Sequence, residues 1–123
     1  IMAEHNDLGK WGEDIAVEYL LDKQYRIVAR DWKLGKRDID IIAYSPDGYL
    51  VFVEVKTRRN EVFMQTECAV NYSKMKSIMR CANAYVKYYH IDNPIRFDII
   101  AVIGTNIANY EVRHTEDAFG LSL

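Results

Sequence analysis

The side chains best equipped for chemistry in this sequence lie between Asp38 and Lys56, where Asp38, Asp40, Glu54 and Lys56 accompany two runs of Ile, Val, Phe and Tyr. Hard divalent cations take carboxylate and carbonyl oxygens, and Mg²⁺ usually keeps several waters plus one or two protein carboxylates. A metal held this way can lower the pKa of a water, polarise a phosphoryl oxygen and stabilise a leaving oxygen. Lys56 beside it could orient the attacking water or stabilise charge on a pentavalent phosphorus. The same spacing suits a plain charged hairpin end in which Lys56 pairs with Asp38. An isolated Asp…Glu-x-Lys does not choose between the two.

The element that must position these groups is a hairpin. Pro46-Asp47-Gly48 separates the two β-forming runs and suits a three-residue loop, a type I turn closed by a Gly bulge. Ser45 then faces Tyr49, and the register sets Asp40 opposite Glu54, Asp38 opposite Lys56 and Ile39 opposite Val55. One face of the hairpin is aliphatic. The other carries the four charged residues above Ile42/Phe52 and Tyr44/Leu50. Acidic groups directly opposed in a sheet repel unless a cation or a proton lies between them.

A first helix is expected from Asn6 or Asp7 to about Gln24. Within it, Glu13 has Ala16, Val17 and Leu20 at i+3, i+4 and i+7, and Gly9 at i−4, so it sits in the small and apolar face. A carboxylate there is costly unless it is paired or bound to metal. Gly9 and Gly12 would let this helix approach the sheet closely.

The runs Gly9-x-x-Gly12-Glu13-x-x-Ala16, Gly35 to Ala43, Phe52-Val-Glu-Val-Lys-Thr-Arg58, Ala69-Val70-x-x-x-Lys74, Arg96 to Val102 and Asp117-Ala118-Phe119 span nearly the whole chain. Together they resemble the YraN-like bacterial family, placed in the PD-(D/E)XK nuclease-like superfamily. The resemblance implies a restriction-endonuclease-like three-layer α/β/α core and metal-dependent phosphodiester hydrolysis. Asp40 and Glu54 would hold Mg²⁺ or Mn²⁺, with the Val55 carbonyl as a backbone ligand and Glu13 supporting the metal from its helix. Lys56 would activate water. Asp38 stands where the family pattern has Glu; its shorter side chain would act through water or orient Lys56. Lys74 falls on a family position near the start of the second helix.

Net charge is −2, which gives no global signal for nucleic acid. Locally, Lys36 and Arg37, and Arg58 and Arg59, flank the carboxylate end of the hairpin; with Lys74 they are the expected phosphate-backbone contacts. DNA is the expected partner. A homodimer would let so small a domain span a branched substrate.

A length of 123 residues with 50% apolar and 28% charged composition fits one globular domain over 1–123. No apolar run approaches a membrane span, no signal peptide is evident, and Cys68 and Cys81 lack partners at zinc spacing, so a cytoplasmic protein with reduced thiols is expected. A strand is expected from Tyr25 to about Lys33 and a polar loop from Arg59 to Glu67. A second helix should run from Asn71 or Ser73 to about Tyr89, followed by an interior strand from Ile95 to Ile103 and a short strand from Tyr110 to His114. His90 would favour the second helix's C-terminal dipole. Asp98 would pair with Arg96 or Arg30. The order is α-β-β-β-α-β-β, a mixed sheet with helices on both faces. Two other functions fit the same residues: a non-catalytic nucleic-acid-binding module, or an assembly protein whose acidic rim is ion-paired.

Overall fold

The hairpin closes as its turn chemistry dictates. Ser45 N donates to the Tyr49 carbonyl (2.9 Å), Gly48 N to the Ser45 carbonyl (3.0 Å), and Gly48 takes φ +93°. The computed structural model describes residues 5–67 and 71–120. Its elements run α1 (His5–Asp22), β1 (Arg26–Leu34), β2 (Arg37–Tyr44), β3 (Leu50–Arg58), α2 (Glu61–Glu67), α3 (Tyr72–Tyr88), β4 (Ile95–Asn106) and β5 (Asn109–Phe119). The strands form one sheet in the order β1-β2-β3-β4-β5, with β3 and β4 parallel and the other pairs antiparallel.

Helices cover both faces, so the α/β class and the layered arrangement are as expected. On one face Ile15, Ala16 and Leu20 of α1 pack on Ile41, Val51, Val53, Ile100 and Val102. On the other, Ile78, Cys81, Ala82 and Tyr85 of α3 pack on Ile42, Leu50, Phe52 and Phe97. Of the two glycines on α1, only Gly12 is required by close approach: a Cβ there would lie 1.9 Å from Thr57 Oγ1, whereas one at Gly9 meets nothing within 4 Å.

Both long helices stop on a residue in the left-handed region. Gln24 (φ +70°) lets Tyr25 N reach the Leu20 carbonyl, and His90 (φ +54°) lets Ile91 N reach that of Val86. These are Schellman closures that satisfy orphan carbonyls. His90 thus closes the C-terminus of α3 through its backbone conformation.

Two segments depart from expectation. The stretch after Arg59 is not a loop: Asn60 Oδ1 accepts from Phe63 N (3.1 Å), capping α2, and Met64 is buried beneath it. The last strand is longer than Tyr110–His114, running to Phe119, whose ring stacks on Phe97 at 5.1 Å. That extension delivers Asp117 N to Asp98. Asp98 is fully buried and accepts from Arg96 Nε and Nη2 (both 2.9 Å), from Asp117 N (3.0 Å), and shares a 2.7 Å hydrogen bond with His114 Nε2. Burial alone would raise the Asp98 carboxyl; His114 and Arg96 outweigh it and hold the group below its ordinary value. Asp98 is thus structural, with Arg96 as its partner, while Arg30 is engaged elsewhere. The readings placed on Cys68, Ala69 and Val70, and on the side chain of Asn6, lie outside the described residues. No helix among the described residues is long and apolar enough to cross a membrane.

Candidate metal centre

The register of the central hairpin follows expectation from Tyr44↔Leu50 to Ile41↔Val53 and then stops. Hydrogen-bonded pairs alternate from Ser45/Tyr49, so a continued ladder would give the Val55 N–H to the Ile39 carbonyl. Instead Asp40 Oδ2 accepts it at 2.8 Å. The expected opposition of Asp40 with Glu54, Ile39 with Val55 and Asp38 with Lys56 is not formed, because a side-chain carboxylate has displaced the main-chain partner.

Alternation also fails at this point. Ile39 and Ile42, three apart, both pack beneath α3, as do Trp32 and Ala29 on the paired strand. Between them, the pairs Arg30↔Ile41 and Trp32↔Ile39 set Asp31 beside Asp40. Asp31 takes φ +49°, a conformation Asp tolerates better than most residues. The reset turns two consecutive positions of each strand toward α1, where Glu13 waits. Carboxylate oxygens of Glu13, Asp31 and Asp40 lie within 4.8 Å of one another. They border a cavity of about 410 Å³ whose wall also includes Gly9, Lys10, Val55, Thr57 and Arg58. The open space at Gly9 is part of that cavity.

The electrostatics of the group are those of a site short of positive charge. Burial pushes the Asp40 carboxyl up to about 7, and the charges of Glu54, Glu13 and Asp38 add to the rise, against the opposing Val55 N–H. Glu13 is also raised, first by burial and then by Asp31, while Arg30 restrains it. Arg30 Nη2 lies 2.9 Å from Glu13 and 2.7 Å from Asp14, so half the answer to a carboxylate on an apolar helix face is this guanidinium. Three oxygen donors from α1, β1 and β2, with no sulfur and no imidazole, fit Mg²⁺ or Mn²⁺ by hardness.

The charge of Glu54 bears on Asp40, and its ion pairs run to Lys56 and Lys74. Glu54 Oε2 is 3.5 Å from Lys56 Nζ, and Glu54 Oε1 is 4.0 Å from Lys74 Nζ. Asp38 lies 3.8 Å from Lys33, not on Lys56. Lys36, Arg37, Asp38 and Lys74 line a second cavity of about 370 Å³. Arg58 borders the carboxylate cavity and donates to the Thr57 carbonyl (2.7 Å), and Arg59 lies over the Phe63 ring at 5.3 Å. The five basic residues thus divide between three places.

Of the residues at the site, Asp31 carries no role in the reading of the sequence, and Arg30 carries one only as a candidate partner of Asp98. The signal for them is the turn at Gly35-Lys36. Gly35 has φ +61°, and a two-residue hairpin pairs Leu34 with Arg37. Extending that register brings Asp31 against Asp40.

A family model described as "Uncharacterised protein family UPF0102" matches residues 12–102, from Gly12 through most of β4. A UPF0102 protein of Bacteroides thetaiotaomicron is 50% identical over 118 residues, covering 96% of each chain. One from Flavobacterium psychrophilum is 45% identical over 118 residues, covering 96% of this chain and 98% of its own. One from Porphyromonas gingivalis is 42% identical over 123 residues, covering 99% and 90%.

Proposed function

The chain belongs to the uncharacterised protein family UPF0102, and we propose that it is a metal-dependent nuclease that hydrolyses phosphodiester bonds in nucleic acid, DNA foremost. The observation that carries this reading is the convergence of Glu13, Asp31 and Asp40 from three elements on one cavity, against their mutual repulsion. Uncompensated, such a cluster is destabilising; a protein that builds it around Gly9 and a reset in two strands is using it to bind positive charge.

Mg²⁺ or Mn²⁺ held there would supply Lewis-acid polarisation of a phosphoryl oxygen and a water of lowered pKa. Glu13, Asp31 and Asp40 would be its carboxylate ligands. The resemblance to PD-(D/E)XK nucleases adds Glu54 and the Val55 carbonyl as further donors. Arg30 keeps Glu13 in place. Val55 N fixes the Asp40 carboxylate at one oxygen and leaves the other free. Lys56, held on Glu54, is the cation next along β3 and would donate to the reacting phosphate or position the attacking water. Asp38 stays in a supporting role beside Lys33. Arg58 and Lys10, at the wall of the cavity, would hold the entering phosphate.

The test is cleavage of labelled single-stranded, duplex, flapped and four-way-junction DNA, and of RNA, with Mg²⁺, Mn²⁺ or EDTA. Wild type, Asp40→Asn and Lys56→Ala are compared side by side. Cleavage that needs metal and is lost in both variants is the expected result. Absence of cleavage with either metal on every substrate refutes the catalytic reading.

A further inference from the structure

The second cavity lies on the opposite face of the sheet from the carboxylates, between the β1–β2 turn and α3. Its lining brings together Lys36, Arg37 and Lys74, with Ser73 and Ser77 as hydroxyl donors. Asp38 is its one lining carboxylate, and Lys33 already answers that charge at 3.8 Å. Among the described residues, no ion pair engages Lys36 or Arg37. The cavity therefore presents three cations and two hydroxyls with one carboxylate between them, which is the donor set for a phosphate.

The two cavities are neighbours along β2. Asp38 lines the basic cavity and Asp40 lines the acidic one, with buried Ile39 between. Two residues of extended chain put the backbones of Asp38 and Asp40 roughly 6–7 Å apart, so one nucleic-acid strand passing the end of β2 meets both cavities. Lys74 pairs with Glu54 at 4.0 Å, and the charge of Glu54 in turn bears on Asp40.

We propose that the cavity formed by Lys36, Arg37 and Lys74 seats a phosphate flanking the scissile one, so that a single strand crosses the end of β2 from the α1 face to the α3 face. The proposal rests on the nuclease reading for the identity of the scissile phosphate. It adds the path of the strand and the contact that registers it.

The experiment uses DNA strands carrying one uncharged methylphosphonate, with cleavage mapped bond by bond in Mg²⁺ for wild type and Lys36→Ala/Arg37→Ala. Lys74 is left intact so that its contact with Glu54 is undisturbed. In wild type, neutralising the phosphate on one side of a bond should slow its cleavage by about tenfold or more, as expected for loss of a charge-assisted contact. The double variant should cut that bond no more slowly than a fully charged one. Equal sensitivity in both proteins overturns the proposal. Salt titration of binding in EDTA separates this inference from the nuclease reading. Loss of the seat should flatten the slope of log affinity against log salt by ~0.7 per phosphate contact on single strands. If neither protein cleaves but the slope flattens, catalysis is wrong and the seat stands. If the slope does not move, the seat is wrong whatever the cleavage.

Discussion

Replacing Asp40 with Asn should stabilise the metal-free protein above neutral pH. The unfolded carboxyl titrates near the ordinary 3.8 and the folded one near 7, pushed there first by burial and then by Glu54, Glu13 and Asp38. Between those values the folded chain keeps a proton that the unfolded chain has lost. Stability therefore falls as pH rises through the window, and the full penalty is present above the folded value. At about 1.4 kcal/mol per pH unit the window is worth ~4 kcal/mol as an upper limit, and relaxation around the site should leave ~2 kcal/mol. An Asn side chain can still accept from Val55 N, so the substitution removes the charge and keeps the 2.8 Å contact. The assay is thermal unfolding in EDTA from about pH 5 to about pH 8. Wild type should lose stability across that range and Asp40→Asn should not, with melting midpoints separated by roughly 4–8 °C at the upper end. Adding Mg²⁺ or Mn²⁺ should restore wild type and leave the variant unmoved. A wild-type profile that is flat or rising in EDTA, with Asp40→Asn less stable at pH 8, would refute the account of a carboxylate held at a cost for a cation.

Gly12→Ala places a methyl against Thr57 at 1.9 Å, and thermal melts should show a loss of ~1–3 kcal/mol. Asp98→Asn leaves Arg96 buried without its carboxylate and should cost ~3–5 kcal/mol by denaturant titration. Because the Asp98 carboxyl is held below its ordinary value, its contribution is present above the unfolded value and disappears as pH falls through the folded one, so wild type should show an acid limb that this variant lacks. Asn60→Ala removes the cap of α2; a loss of ~1 kcal/mol, with faster amide exchange at Phe63 and Met64, is expected.

Most of the frame was legible because hydrophobic pattern and turn chemistry act locally. Ser45 facing Tyr49, the aliphatic face of Ile41, Ala43, Val51 and Val53, and the interior character of β4 follow from alternation and one Pro-Asp-Gly turn. The carboxylate on α1 was legible for a different reason: Glu13 stands where an apolar residue belongs. What escaped was the place where alternation stops. Asp40 capturing Val55 N, and Asp31 turning through φ +49°, are tertiary events that a rule of period two cannot anticipate. They move the partner of Asp40 from Glu54 on one neighbouring strand to Asp31 on the other. The α2 helix was missed because seven residues carry too little periodicity; the signal was Asn60 three residues before Phe63. The pairing of His114 with Asp98 was unreadable because it depends on the β4–β5 register, which shifts beside Asp98 and which no turn residue fixes.

The parallel pairing of β3 with β4 carries a consequence for how the chain reaches this structure. The β1–β2, β2–β3 and β4–β5 hairpins each close over a short turn, but Leu50 meets Ile95 only after α2 and α3 have crossed the sheet. Loop-closure entropy penalises that meeting most, and distant contacts slow folding. The β1–β3 meander should therefore be ordered in the transition state, with β4 docking afterwards. Val53→Ala in the meander should slow refolding, whereas Val102→Ala should chiefly speed unfolding. The acidic cleft draws on α1, β1 and β2, so its carboxylates would be gathered before the second half of the sheet is in place. A divalent ion that binds them early would then accelerate folding as well as stabilise its product, an effect measurable as a metal-dependent refolding rate.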